Sequence, residues 1–171
     1  MIDAAIFTIF PLLMAVAAFT DTFSMTIPNR VSVILFLAFL VIAPFAGMGA
    51  IDIAWHLAAG LIVLVICFAL FAINAMGGGD AKVLAASAVW FGYGTDLVGY
   101  LGTIGVYGGL LTFAILILRA NERVLLALPL RIPMHFFNQK SGVPYGIAIG
   151  LAGLTCYPDS VLVRWAIDRL V

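Results

Sequence analysis

The chain has 171 residues, of which 65% are hydrophobic and 9% charged, against roughly 25% charged in an ordinary soluble domain. That composition excludes a water-soluble globule, and a formal net charge of zero gives no argument for a nucleic-acid partner. Charge-free stretches of 17 or more residues recur along the chain, and about 20 apolar residues cross a bilayer core of ~30 Å as a helix. The expectation is all-α: a polytopic membrane bundle of about six transmembrane helices. It forms a single domain over residues 1–171, because no long polar linker, low-complexity tract or clear repeat interrupts the runs.

In chain order, the first helix is expected from about Ala4 to Thr20, stopping at Asp21. No Lys or Arg precedes Arg30, so the run lacks the basic start of a secretory signal and is read as a permanent helix. Asp21 to Thr26 forms a short polar loop, Pro28 suits an early helix position, and the second run spans Val31 to about Gly47. The third and longest, Ile53 to about Met76, ends in Gly77-Gly78-Gly79, read as a C-terminal cap or sharp turn, with Asp80 directly after. A fourth segment, Ala81 to Tyr93, has only 13 residues, or about 20 Å of helix, and is expected to be short and shielded by its neighbours. A fifth runs from Leu97 to Leu118. Arg119 to Val143 reads as a basic loop lying on the membrane surface with its apolar side chains dipped in. The sixth helix runs from Pro144 to near Tyr157, and an amphipathic piece lies in the tail.

Two crossings separate Asp21 from Asp80, so both carboxylates are expected at one face of the bilayer. If that face is cytoplasmic it carries Arg30, Lys82, Arg119, Arg123, Arg131 and Lys140, six of the eight basic residues, leaving Arg164 and Arg169 outside. The positive-inside rule favours this orientation, with both termini outside.

Two carboxylates at close range resist ionising together, so one remains an acid while the other serves as a base. A pair of this kind can activate water and polarise a peptide carbonyl. Each acid taken singly has a bland reading: Asp21 as a solvated boundary residue, Asp80 as a helix cap.

The residues around them carry a resemblance. Asp21, then Ile27-Pro28-Asn29, then Gly77-Gly78-Gly79-Asp80-Ala81-Lys82, then Pro144-Tyr145-Gly146 opening the last helix, resemble the prepilin peptidases, the GxGD-type aspartic membrane proteases that remove leaders from type IV pilins. The resemblance implies Asp21 and Asp80 as the catalytic dyad, with Gly77 and Gly79 in the glycine positions of the motif. Ile27, Pro28, Asn29, Pro144, Tyr145 and Gly146 would be supporting elements. It implies no metal or cofactor, and a membrane-inserted prepilin with a short basic leader as substrate. Long members of the family also methylate the product and carry an extra domain with paired Cys-x-x-Cys motifs. This chain has only Cys67 and Cys156, 88 residues apart, and so resembles the short members associated with tight-adherence (Flp-type) pili or the archaeal preflagellin peptidases. Its size and short loops favour the bacterial form, and N-methyltransferase activity is not expected.

Lys82 either holds one carboxylate ionised or meets lipid headgroups, and the second is favoured. Both cysteines read as buried small apolar residues. His56 is read as an interfacial or helix-packing residue, His135 as interfacial, and Trp55, Trp90 and Trp165 as an aromatic belt at the outer boundary. The alternative function is a small transporter or channel component in which the two aspartates bind cations or relay protons. A third is a non-catalytic pilus-assembly partner. The position of both acids at one boundary, with none midway along a helix, favours the protease.

Overall fold

The computed structural model describes residues 2–121 and 142–170. Within them are seven α-helices and no strand: α1 (Ile2–Ser24), α2 (Asn29–Phe45), α3 (Ala50–Ala72), α4 (Gly78–Phe91), α5 (Thr95–Ala120), α6 (Tyr145–Cys156) and α7 (Val161–Asp168), with a 3-10 turn, Tyr157–Asp159, between the last two. The expected all-α bundle is what forms. By length and composition α1, α3 and α5 can each cross a membrane, and α6 with the 3-10 turn and α7, bent by 41°, would make a fourth span. Large apolar side chains such as Ile51, Phe68 and Val98 point outward, at 75%, 65% and 70% exposure, as a lipid-facing surface requires. Most of the expected surface loop from Arg119 to Val143, including Arg123, Arg131, His135 and Lys140, lies outside the described residues, while Arg119 and Ala120 continue α5.

Helix boundaries shift by one to four residues from the sequence expectation, and three of the differences have a clear local reason. Helix α1 continues past Asp21 to Ser24, because the hydroxyls of Thr22 and Ser24 donate back to the carbonyls of Ala18 and Thr20 at 2.6 and 2.7 Å. These polar residues therefore extend the helix instead of ending it. The three glycines do not cap α3. Its last carbonyls are met through Ile73, Asn74 and Ala75, with Asn74 in the left-handed region at φ 57°, while Gly77 is the N-cap of α4 and Gly78 and Gly79 form its first turn. Pro28 sits one position outside α2, as its N-cap at φ −60°.

The short α4 stands at the centre. Ten of its residues are buried, with α2 and α3 packed on it and α6 beside it. Close approach to α3 occurs at Gly60, where an added β-carbon would lie 2.4 Å from Val89 and 3.1 Å from the carbonyl of Ala85. Gly150 on α6 admits α1 in the same way, since a β-carbon there would meet Ala18 at 2.7 Å and the Met14 carbonyl at 2.8 Å. Small residues at such crossings let membrane helices gain packing area.

Trp90 corrects the aromatic-belt expectation. It is fully buried, donates its indole N–H to the Leu35 carbonyl of α2 at 3.1 Å, and anchors a cluster with Phe10, Phe39 and Tyr157. Trp55, by contrast, is 56% exposed. His56 is a packing residue: its Nδ1 pairs with the Val89 carbonyl at 2.7 Å and its ring stacks on Phe39. The ring also leaves no space for a side chain at Gly92, whose φ of 71° already favours glycine. Cys67 is buried and Cys156 partly so, both as free thiols.

Candidate active site

The C-terminal end of α1, the N-terminal ends of α2, α4 and α6, and the C-terminal ends of α3 and α5 meet at one end of the bundle. Asp21 lies in the last turns of α1, 5% exposed, and its Oδ2 accepts the backbone N–H of Gly146 at 2.7 Å. That bond fixes the residue at position 146. A β-carbon there would sit 2.8 Å from Asp21 Cβ, 2.9 Å from Asp21 Oδ2 and 2.9 Å from Ile27 Cδ1, so only glycine lets the first turn of α6 close on the carboxylate.

Asp80 is the third residue of α4 and accepts the backbone N–H of Gly77, the N-cap. This is half of a capping box, and it holds the carboxylate over a helix N-terminus, where the partial positive charge of unpaired N–H groups favours an acid. Asp80 and Asp21 lie close enough for their charges to interact. Asp80 is only partly buried and forms part of the wall of a cavity of about 790 Å³.

The other residues singled out from the sequence gather around this pair. Ile27, 8% exposed, lies against Gly79 on one side and Gly146 on the other, so one side chain joins the starts of α4 and α6. Lys82 Nζ donates to Asn29 Oδ1 at 3.0 Å. The bond ties the first residue of α2 to the N-terminal part of α4 and leaves Lys82 exposed at the surface. Pro28 is exposed; Pro144 is buried and is the N-cap of α6. Among the described residues no group of three His, Cys, Asp or Glu stands together as a metal site.

One participant escaped the sequence reading. The Tyr145 ring rests directly on Gly108 of α5, where an added β-carbon would fall 2.2 Å from the Tyr145 hydroxyl and 2.4 Å from Cζ. Gly108 thereby sets the position of Tyr145, and Tyr145 precedes the N–H that grips Asp21. The only signal in the sequence was the glycine-rich stretch of α5, which does not say which glycine is used. Arg119 Nη2 reaches the Gly142 carbonyl at 3.2 Å, a second tie between the end of α5 and the approach to α6.

The arrangement provides two acids near enough for their charges to interact, each holding a backbone N–H, beside a largely apolar cavity. Two carboxylates that come within a few ångströms of each other can share one proton and act on one water. The chain matches no curated protein and no solved structure at a significant level. Residues 8–118, more than half of the chain and including both aspartates, match the model of the type IV leader peptidase family, and the chain belongs to that family of peptidases.

Proposed function

We propose that the protein is an aspartic endopeptidase that removes the leader from a type IV prepilin of the Flp type, cutting at the cytoplasmic face of the inner membrane. Asp21 and Asp80 are its dyad. One carboxylate takes a proton from water as the water oxygen bonds to the scissile carbonyl carbon. The other, protonated, donates to the carbonyl oxygen. Collapse of the tetrahedral intermediate breaks the C–N bond, and the departing amine takes a proton from the dyad. Gly146 and Gly77 orient the two acids through their N–H groups, and Ile27 with the Asn29–Lys82 bond holds the three helix starts around them. The observation that supports this reading is that Asp21 and Gly146, far apart in sequence, meet in one buried hydrogen bond, with Asp80 near enough to Asp21 for their charges to interact.

Within this reading the bundle crosses six times with both termini outside, and the product keeps an unmethylated N-terminus. Reporter fusions at Ser24 and Asn121 are expected to score as cytoplasmic, and fusions at Gly49 and after Val171 as external. The decisive experiment is co-expression with a candidate prepilin that has a short basic leader and a hydrophobic helix. The unaltered protein should release the leader, and mass spectrometry of the pilin should find a free, unmodified amine. Asp21→Asn and Asp80→Asn should each insert normally and lose about 100- to 10,000-fold in rate, as removal of an acid or base does. Near-normal processing by either variant would exclude the dyad.

A further inference from the structure

Helices α3 and α5 flank α4 and pack on different partners, α3 on α4 and α5 on α6. Between them they leave the cavity that Asp80 borders. From α3 the wall is Val63, Ile66, Cys67 and Leu70; from α5 it is Leu101, Ile104, Gly105 and Thr112. Both rows follow the spacing i, i+3, i+4 that marks one face of a helix. Two helices thus turn matching faces toward the same void, floored by Leu84 of α4 and closed at the acid end by Asp80 and Tyr145. From Leu101 to Thr112 the trough runs about 16 Å, or three helical turns.

We infer that this trough is the docking groove for the hydrophobic helix of the substrate, which moves in sideways from the bilayer between α3 and α5 and presents its cytoplasmic end to Asp80. The inference rests on the protease reading above. Three features point to a polypeptide helix as the occupant. The trough offers two helical faces at once, the geometry in which a third helix packs. Gly105 provides the small residue that lets two backbones approach within a membrane. The one charged side chain among the described lining residues is Asp80, at one end, which complements a substrate that is apolar along its helix and cationic just beyond it. The cut then falls where the apolar match ends, so the length of the groove, measured from Asp80, sets the position of the scissile bond.

The test uses Gly105, where an added β-carbon meets nothing within 4 Å, so a larger residue fits without disturbing the fold. Gly105→Phe fills the groove, while Gly102→Phe, on the same helix, equally open and off the cavity, is the control. In detergent or proteoliposomes, Gly105→Phe should cut full-length prepilin at least tenfold more slowly than Gly102→Phe. Both should retain cleavage of a short peptide that spans the leader junction and lacks the helix. In a Cys67→Ala, Cys156→Ala background, Gly105→Cys should form a disulfide with a cysteine placed in the first two turns of the pilin helix. If the unaltered protein cuts no prepilin, the protease reading falls and the groove with it. If it cuts, and Gly105→Phe cuts as fast as Gly102→Phe with no disulfide formed, the groove belongs to lipid chains and this inference alone is overturned.

Discussion

The two ends of the bundle are built on opposite plans. At the far end, aromatic rings fill the interior: Phe10 stacks on Tyr157 at 4.1 Å between centroids, Phe91 on Tyr100 at 4.2 Å, and Trp90 closes the group. The Tyr157 hydroxyl donates to the Ile6 carbonyl at 2.8 Å, and the ion pair of Arg164 with Asp96, at 2.7 Å, pins α7 to the start of α5. The acid end has little such packing. It is held by helix termini, by backbone N–H groups on carboxylates and by side chains fitted against glycines, and it borders an open cavity. Under the protease reading, the packed rings serve the fold and the open acid end serves the chemistry.

That contrast can be broken first at Gly146. Gly146→Ala should reduce leader processing by at least tenfold, about 1.4 kcal/mol of barrier, with little change in melting temperature, because the added methyl pushes on Asp21 and Ile27 and not on the aromatic core. An inactive variant that is also grossly unfolded would mean that the acid end carries the fold too.

Gly108 sharpens the point. Gly108→Ala should lower activity by displacing the Tyr145 ring, and adding Tyr145→Leu, which removes the atoms in conflict, should restore a substantial part of it. A double variant no better than the single one would refute the idea that Gly108 acts through Tyr145.

At the other end the signature reverses. Trp90→Ala should cost about 3–5 kcal/mol of stability, as large-to-small changes at packed aromatic sites do, while the fraction that remains folded keeps its rate per molecule. Urea or thermal unfolding in detergent, read beside specific activity, would separate the two effects. The smallest effect is expected for Arg164→Ala. With side chains 57% and 25% exposed, the Arg164–Asp96 pair should contribute less than about 1 kcal/mol, and a larger loss of stability would show that α7 depends on that pair more than on its buried Leu162, Val163 and Ala166.

Much of this plan was legible in the sequence. Apolar run lengths gave the helices and their order, because in a membrane every backbone group must be satisfied within its own helix. The acids were legible because a charge interrupts those runs so rarely. The end of α1 was misplaced because hydroxyls that look like loop residues can bond back to their own helix. The three glycines suit the end of one helix by composition yet begin the next, because composition alone does not separate a C-cap from an N-cap. A tryptophan near the end of an apolar run usually lies at the boundary; the run that carries Trp90 is too short to reach it, so the residue falls in the interior. Gly108 and the Asn29–Lys82 bond depend on which faces meet, which no single segment encodes.

The shortness of α4 has one more consequence. At 14 residues it spans about 20 Å of a ~30 Å barrier, and its last turn is level with His56, the second turn of α3. A central helix that stops short of its long neighbour α3 leaves its end to be covered by another part of the chain. Tyr157 lies across Trp90 and Phe10, and α7 follows with its apolar face turned inward. The 3-10 turn thus supplies, through the Tyr157 ring, the packing over Trp90 that α4 has no further turn of its own to provide.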